Sequence, residues 1–338
     1  MCFFTFADPF LLCVKEKYQY ICQNLKQMKT TFKETFLLFF KGMAMGAADV
    51  VPGVSGGTIA FISGIYEELL ASISSINFQT LSLLKEKGIK AVWKSIHGNF
   101  LATLLAGIAV SVVSLAKGIS YLLENEPILL WSFFFGLVLA SVLFVGKQIK
   151  KWRLSRGVLL MVGAVVAYYI TILEPLVSQG ASLWFLFLSG ALAICAMILP
   201  GISGSFILVL LGSYKIILEA IHTRDMQAIA TVGVGAVVGL LSFSKLLKWL
   251  FSKYHDFTLA ILTGFVIGSL NKIWPWKETL TWRVDSHGVE VPLLQKSISP
   301  LVYDGNPELL MSCVCAVFGY LVILFLEKIQ QTKSKNAL

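Results

Sequence analysis

The chain has 338 residues, 57% hydrophobic and 14% charged, with a mean hydropathy of +0.78. Soluble domains carry roughly 45–50% apolar and about 25% charged residues, so a water-soluble globular fold is excluded. A net charge of +9 would suit a nucleic-acid partner, but the basic residues gather in short segments between apolar runs. That is the pattern of cytoplasmic loops in a membrane protein, and it argues against nucleic acid.

Residues 1–33 open with MCFFTFADPFLLCVKEK, which lacks the positive start and cleavage site of a secretory signal. They are expected to be a cytoplasmic leader, amphipathic or disordered, or to lie upstream of a true start at Met28. A first unit, 34–174, holds an apolar pair at 35–71 interrupted by VPGVSGGT, a loop within 74–100, and apolar runs at 101–123, 127–146 and 157–174. A second, 182–326, holds an interrupted pair at 182–221 and runs at 227–247, 257–274 and 308–326. Each uninterrupted run is long enough to cross a ~30 Å hydrocarbon core as a helix. Residues 275–307 form a large polar loop, and 327–338 a cytoplasmic tail. Cys2, Cys13, Cys22, Cys195, Cys313 and Cys315 have no metal-ligand spacing and read as small buried hydrophobes, so neither metal nor disulfide is expected.

The two units are related. PGVSGG at 52–57 recurs as PGISGS at 200–205, and Gly42–Ile73 aligns with Gly190–Ile221 without a gap at an offset of 148, with eleven identities in 32 positions. At an offset of 128, LATLLAG (101–107) meets IATVGVG (229–235) and GLVLAS (136–141) meets GFVIGS (264–269). LLM at 159–161 then matches LLM at 309–311. Each unit crosses an odd number of times whether its broken pair is re-entrant or spanning, so the second unit is expected to be inverted. With both termini in the cytoplasm, 21 of the 28 Lys and Arg fall on that side, five of them in KQIKKWRLSR (147–156). The fold expected is an all-α polytopic membrane protein. It has two inverted-topology repeats, each a broken or re-entrant helical hairpin followed by three transmembrane helices.

Irregular backbone at membrane depth is tolerated only where protein or a watery cavity satisfies its polar groups. The duplicated break therefore marks a site. Ser55 and Ser203 are placed to cap the helices that follow. Gly56 and Gly57 would let a ligand approach backbone N–H groups closely, and such a helix start suits an anion, phosphate above all. Matching interruptions in inverted halves point to a secondary transporter; the alternative is that Pro and Gly merely kink packed helices. Asp49 is the only acid in the first apolar arm; it would carry a coupling proton or hold the loop by accepting N–H bonds. Lys41 would snorkel or attract an anionic headgroup. Glu67 and Glu68 are expected to face cytoplasmic water, and Tyr66 and Tyr214 to be interfacial anchors.

KGMAMGAADVVPGVSGGTIAFISGIYEEL and ILPGISGSFILVLLGSY closely resemble the signature of the polyprenyl-phosphate transporter family (PopT), formerly domain of unknown function 368. The resemblance covers the chain from about residue 28. It implies a non-enzymatic protein of the bacterial cytoplasmic membrane that flips undecaprenyl phosphate for recycling in cell-envelope synthesis, without cofactor or metal. The family motif falls on Lys41, Gly42, Gly46, Asp49, Pro52, Gly53, Ser55, Gly56, Gly57 and Thr58, and on Pro200, Gly201, Ser203 and Gly204; Ser205 completes the second copy. The partners implied are the lipid and the bilayer, with a homo-oligomer left open. No arginine lies in either broken segment, so the source of charge compensation for a phosphate is missing from this reading.

Rivals remain. GVSG and GISG match the serine motif of rhomboid-type intramembrane proteases, but His97, His222, His255 and His287 all fall in loops or helix ends. A phosphatase would need clustered Arg and His. A small-anion channel or transporter using the same broken helices stays open, as does an assembly scaffold.

Overall fold

The computed structural model describes residues 32–51, 54–175, 182–284 and 290–336. The leader up to residue 31, Pro52, Gly53 and His287 lie outside the described residues. The chain divides into a unit ending at Leu37, helical from Phe32, and a unit running from Leu38 to Leu338 that carries the membrane architecture.

Helix α1 (Phe32–Val50) ends at the first break and is followed by the short α2 (Gly56–Ile62) and α3 (Tyr66–Ser74). The stretch expected as a loop is mostly helix, α4 (Phe78–Ser95). Asn77 starts it through a reciprocal capping box with Thr80, and Gly88, at φ 76°, breaks it in the middle. Then come α5 (Gly98–Asn125), α6 (Pro127–Gln148) and α7 (Leu154–Ile172), α6 beginning on a proline that has no amide to leave unpaired. After α8 (Leu183–Ile198) and the second break, α9 (Gly204–Leu210) and α10 (Tyr214–Thr223) follow.

Helix α11 (Met226–Ser269) has 44 residues, about 66 Å at 1.5 Å per residue. That is twice the ~30 Å of a bilayer core. The helix bends at Tyr254 (φ −133°, ψ 46°) and so supplies the two runs expected at 227–247 and 257–274. The polar loop is not all irregular: β1 (Lys277–Val284) and β2 (Glu290–Ser297) pair as an antiparallel hairpin, so the fold departs from purely α. Helix α12 (Leu309–Asn336) runs on through the expected tail.

Four described helices, α5, α6, α7 and α11, are long and apolar enough to cross a membrane. Helices α9 and α10 form a further apolar pair bent by 102°, as a broken span or re-entrant loop would be. Helix α8 and the apolar part of α12, Leu309–Phe325, are shorter. This is a multi-pass helical membrane protein. Its outward faces carry exposed large apolar residues such as Leu154, Val165 and Leu310, as lipid demands. Cys313 is exposed among them, and Cys195 and Cys315 are half-buried, so the expectation of burial fails for these three; Cys2, Cys13 and Cys22 lie outside the described residues. A small apolar side chain facing lipid needs no burial.

Glycines bring the helices into backbone contact. Where α1 passes α5, a Cβ on Gly42 would strike the Leu104 carbonyl and one on Gly107 that of Phe39. Where α8 passes α11, Gly190 stands in the same way against Val232 and Gly235 against Phe187. Leu104 and Val232 differ by 128, Phe39 and Phe187 by 148, the two offsets read from sequence. Gly163 of α7 meets the Ile261 carbonyl and Gly319 of α12 that of Phe133, again 128 apart. The glycines themselves differ by 156, against the 150 of the LLM match.

Candidate functional site

The first break is built from its own residues. Ser55 sits extended (φ −127°, ψ 136°), its Oγ accepts from Gly57 N–H at 3.1 Å, and its carbonyl accepts from Thr58 and Ile59 N–H at 2.9 and 3.4 Å. Asp49 closes the turn: its Oδ1 accepts from Gly56 N–H at 2.6 Å, a charge-assisted bond at a positive helix start. A Cβ at 56 would lie 2.6 Å from Asp49 Oδ2, so any side chain there would push the carboxylate from its place. The amides of Gly56 and Gly57, expected to face a ligand, thus bond protein atoms. Of the two roles considered for Asp49, the structure displays the loop-holding one. Lys41 ties the far end of α2, donating from Nζ to the Ser63 carbonyl at 2.6 Å.

The two breaks meet. Ser55 Oγ donates to the Met197 carbonyl at 2.9 Å, and Tyr66 OH to the Ile198 carbonyl at 3.1 Å. These carbonyls close α8 and have no amide one turn on to bond. In return, Gly201 N–H donates to Thr58 Oγ1 at 2.8 Å. A Cβ on Gly57 would fall 2.6 Å from the Met197 oxygen and 2.7 Å from that of Ile198, so only glycine lets the start of α2 abut the end of α8. Opposite ends of two helix dipoles then face each other. Tyr66 is 2% exposed and is a brace between the breaks, not the interfacial anchor expected. Its neighbours could not be named from sequence, since its partner lies 132 residues away.

The second break is more open. All seven residues of α2 are buried, whereas in α9 only Gly204 and Leu210 are. Ser203 occupies the cap position but makes no cap bond; its hydroxyl pairs with that of Ser205 at 2.9 Å. Ser205 is exposed and Pro200 buried. Gly201 has φ +89° and backs onto Phe265 and Ser269 of α11. The structure therefore gathers Asp49, Ser55, Gly56, Gly57, Thr58 and Gly201 into one bonded knot, and leaves Ser203 and Ser205 on an accessible face beside it. Lys41 stands apart.

Two comparisons with known proteins bear on this arrangement. The family description "undecaprenyl phosphate translocase-like" matches residues 45–291, which contain both breaks. The chain belongs to that family. It is 51% identical to the polyprenyl-phosphate transporter of Vibrio cholerae serotype O1 over 294 residues, 86% of this chain and 95% of that relative. It is 32% identical to the polyprenyl-phosphate transporter of Staphylococcus aureus over 253 residues, 70% of this chain and 84% of that relative. No solved structure matches it. Members of the undecaprenyl phosphate translocase-like family are named for transport, in keeping with a non-enzymatic protein.

In this family member a second polar cluster ties α3 to the bend of α11. His255 Nε2 lies 3.2 Å from Glu67 Oε1, His255 Nδ1 lies 3.6 Å from Asp256 Oδ1, and Arg156 Nη2 lies 3.4 Å from Asp256 Oδ2. Glu67 is exposed, as expected. Ser55 Oγ donates to a backbone carbonyl and not to a histidine, which disfavours the protease reading. Among the described residues no three His, Cys, Asp or Glu are gathered to hold a metal.

Proposed function

We propose that the protein carries polyprenyl phosphate, undecaprenyl phosphate in particular, between the leaflets of the bacterial cytoplasmic membrane for re-use in envelope synthesis. Its two halves are inverted repeats with both termini cytoplasmic. The paired glycine contacts at offsets of 128 and 148 support the duplication, and the lysine and arginine distribution supports the orientation. The observation that carries the reading is the meeting of the two breaks. At the breaks, hydroxyls of Ser55, Thr58 and Tyr66 from the first half meet backbone groups of Met197, Ile198 and Gly201 from the second, in a chain otherwise built for lipid.

The phosphate is received at the second break, by the Ser203 and Ser205 hydroxyls, while the first break braces it. Only the headgroup crosses; the isoprenoid tail stays in lipid. Asp49 is the coupling candidate: taking a proton would weaken its bond to Gly56 N–H and loosen the first tip.

The test is binding and leaflet exchange in proteoliposomes with three probes: undecaprenyl phosphate, undecaprenol and inorganic phosphate. Exchange of the phosphorylated lipid alone supports the proposal, and its loss of pH-gradient dependence in Asp49→Asn supports the coupling role. Flux of inorganic phosphate without lipid exchange would instead mark a small-anion pathway.

A further inference from the structure

Beside the accessible second break lies Lys272, and near enough to feel its charge lies Lys277 at the start of the hairpin; no part of the duplicated motif accounts for either. Lys272 sits in the turn after α11, its backbone N–H donating to the Ser269 carbonyl at 2.9 Å. Its Nζ is 4.3 Å from the ring centroid of Phe206, the residue after Ser205. Lys277 opens β1, and its Nζ is 3.4 Å from the ring centroid of Trp131 in the first turns of α6. Trp131 is 7% exposed.

Both side chains are half-buried, yet among the described residues neither forms an ion pair. Cation–π contact holds each ammonium in place without neutralising it. Burial lowers the Lys272 ammonium to about 8. It lowers Lys277 well below the usual lysine range, and the charge of Lys272 pushes it down further. Two ammonium groups that repel each other, partly withdrawn from water and lacking a carboxylate among the described residues, leave a deficit that an anion would make good. The hydrogen-bonding groups around them are otherwise engaged: the indole N–H groups of Trp274 and Trp276 donate to the Ile298 and Pro307 carbonyls.

The pair is also one-sided. At the 128 offset that relates α6 to the second part of α11, Lys272 and Lys277 correspond to Phe144 and Ile149. Duplication of the fold therefore supplied neither charge.

We propose that Lys272 and Lys277, with the Ser203 and Ser205 hydroxyls, form the receiving site for a phosphate monoester on the β-hairpin face of the protein. The lysines supply the charge compensation for which neither broken segment offers an arginine, and the hydroxyls supply hydrogen bonds. The inference rests on the transport reading above for the lipid source of the phosphate; the site chemistry suits inorganic phosphate equally. Because the orientation proposed above puts the hairpin outside, the site would take phosphate from the outer leaflet.

The test uses the full chain in lipid nanodiscs, titrated with farnesyl phosphate, farnesol and inorganic phosphate. The variants are Lys272→Met, Lys277→Met, their combination, the Arg replacements, and Lys215→Met as an exposed control. Charge-assisted contacts set the expectation of about tenfold weaker farnesyl phosphate binding per lysine lost. Arginine should restore most of it, and Lys215→Met should leave it unchanged. Retained affinity in the double Met variant would overturn the site while leaving a lipid-phosphate substrate intact. Lysine-dependent binding of inorganic phosphate as tight as that of farnesyl phosphate would support the site and count against the lipid as its source. No binding of either phosphate by the wild type, with fluorescence reporting a folded protein, would overturn both.

Discussion

Tyr66→Phe removes one oxygen from the junction of the two breaks and leaves nearly everything else in place. The ring keeps its edge-on contacts with Phe61 at 5.2 Å and Phe251 at 5.9 Å, so no cavity larger than a hydroxyl is made. What is lost is the bond to the Ile198 carbonyl at 3.1 Å. That carbonyl closes α8, and the approach of Gly57, whose added Cβ would lie 2.7 Å from it, leaves no room for water. A buried acceptor left unpaired costs about 1–3 kcal/mol. Ser55→Ala should cost more, about 2–4 kcal/mol, because it frees the Met197 carbonyl and also uncaps Gly57. The two carbonyls are adjacent, so the double variant should lose less than the sum. Unfolding of the purified protein in detergent, followed for both singles and the double, measures all three. A Tyr66→Phe loss below about 0.5 kcal/mol, within the range of ordinary surface changes, or strict additivity, would refute the claim that these hydroxyls jointly fasten the breaks.

Gly42→Val and Gly190→Val should each destabilise by about 1–3 kcal/mol through overpacking, and by similar amounts, since both press on a carbonyl at equivalent contacts; thermal midpoints in detergent would check the match. Arg156→Gln should destabilise by about 1.5–3 kcal/mol, because Asp256, only 16% exposed, loses its charged partner. Adding Asp256→Asn should recover part of that loss, which a double-mutant cycle on the same unfolding assay would measure.

Hydropathy located the spans because lipid imposes a length and a composition on every crossing segment, and even the bend in α11 was foreshadowed by KWLFSKYHD between two apolar runs. The duplicated PG-S-G motif located the breaks, since irregular backbone leaves Pro and Gly as its signature. What stayed hidden depends on distance along the chain. Nothing local to Tyr66 or Thr58 says that their partners are residues 198 and 201, and nothing near Ser205 says that Lys272 stands over the next side chain. The amides of Gly56 and Gly57 looked available because, although Asp49 was expected to accept N–H bonds in one of its two roles, nothing in the sequence said that the amide it takes is that of Gly56, seven residues on. Helix α4 was missed because its capping box, Asn77 with Thr80, lies in a polar segment that hydropathy passes over.

The central claim is that apposed breaks from the two halves carry a polyprenyl phosphate headgroup across the membrane. Its most direct test is leaflet exchange of labelled undecaprenyl phosphate in proteoliposomes holding the wild type or Gly57→Val, which forces a side chain against the Met197 and Ile198 carbonyls. The account predicts protein-dependent exchange by the wild type and its loss in a Gly57→Val variant that still inserts and folds. Exchange by that variant at the wild-type rate, or none by the wild type, would contradict it.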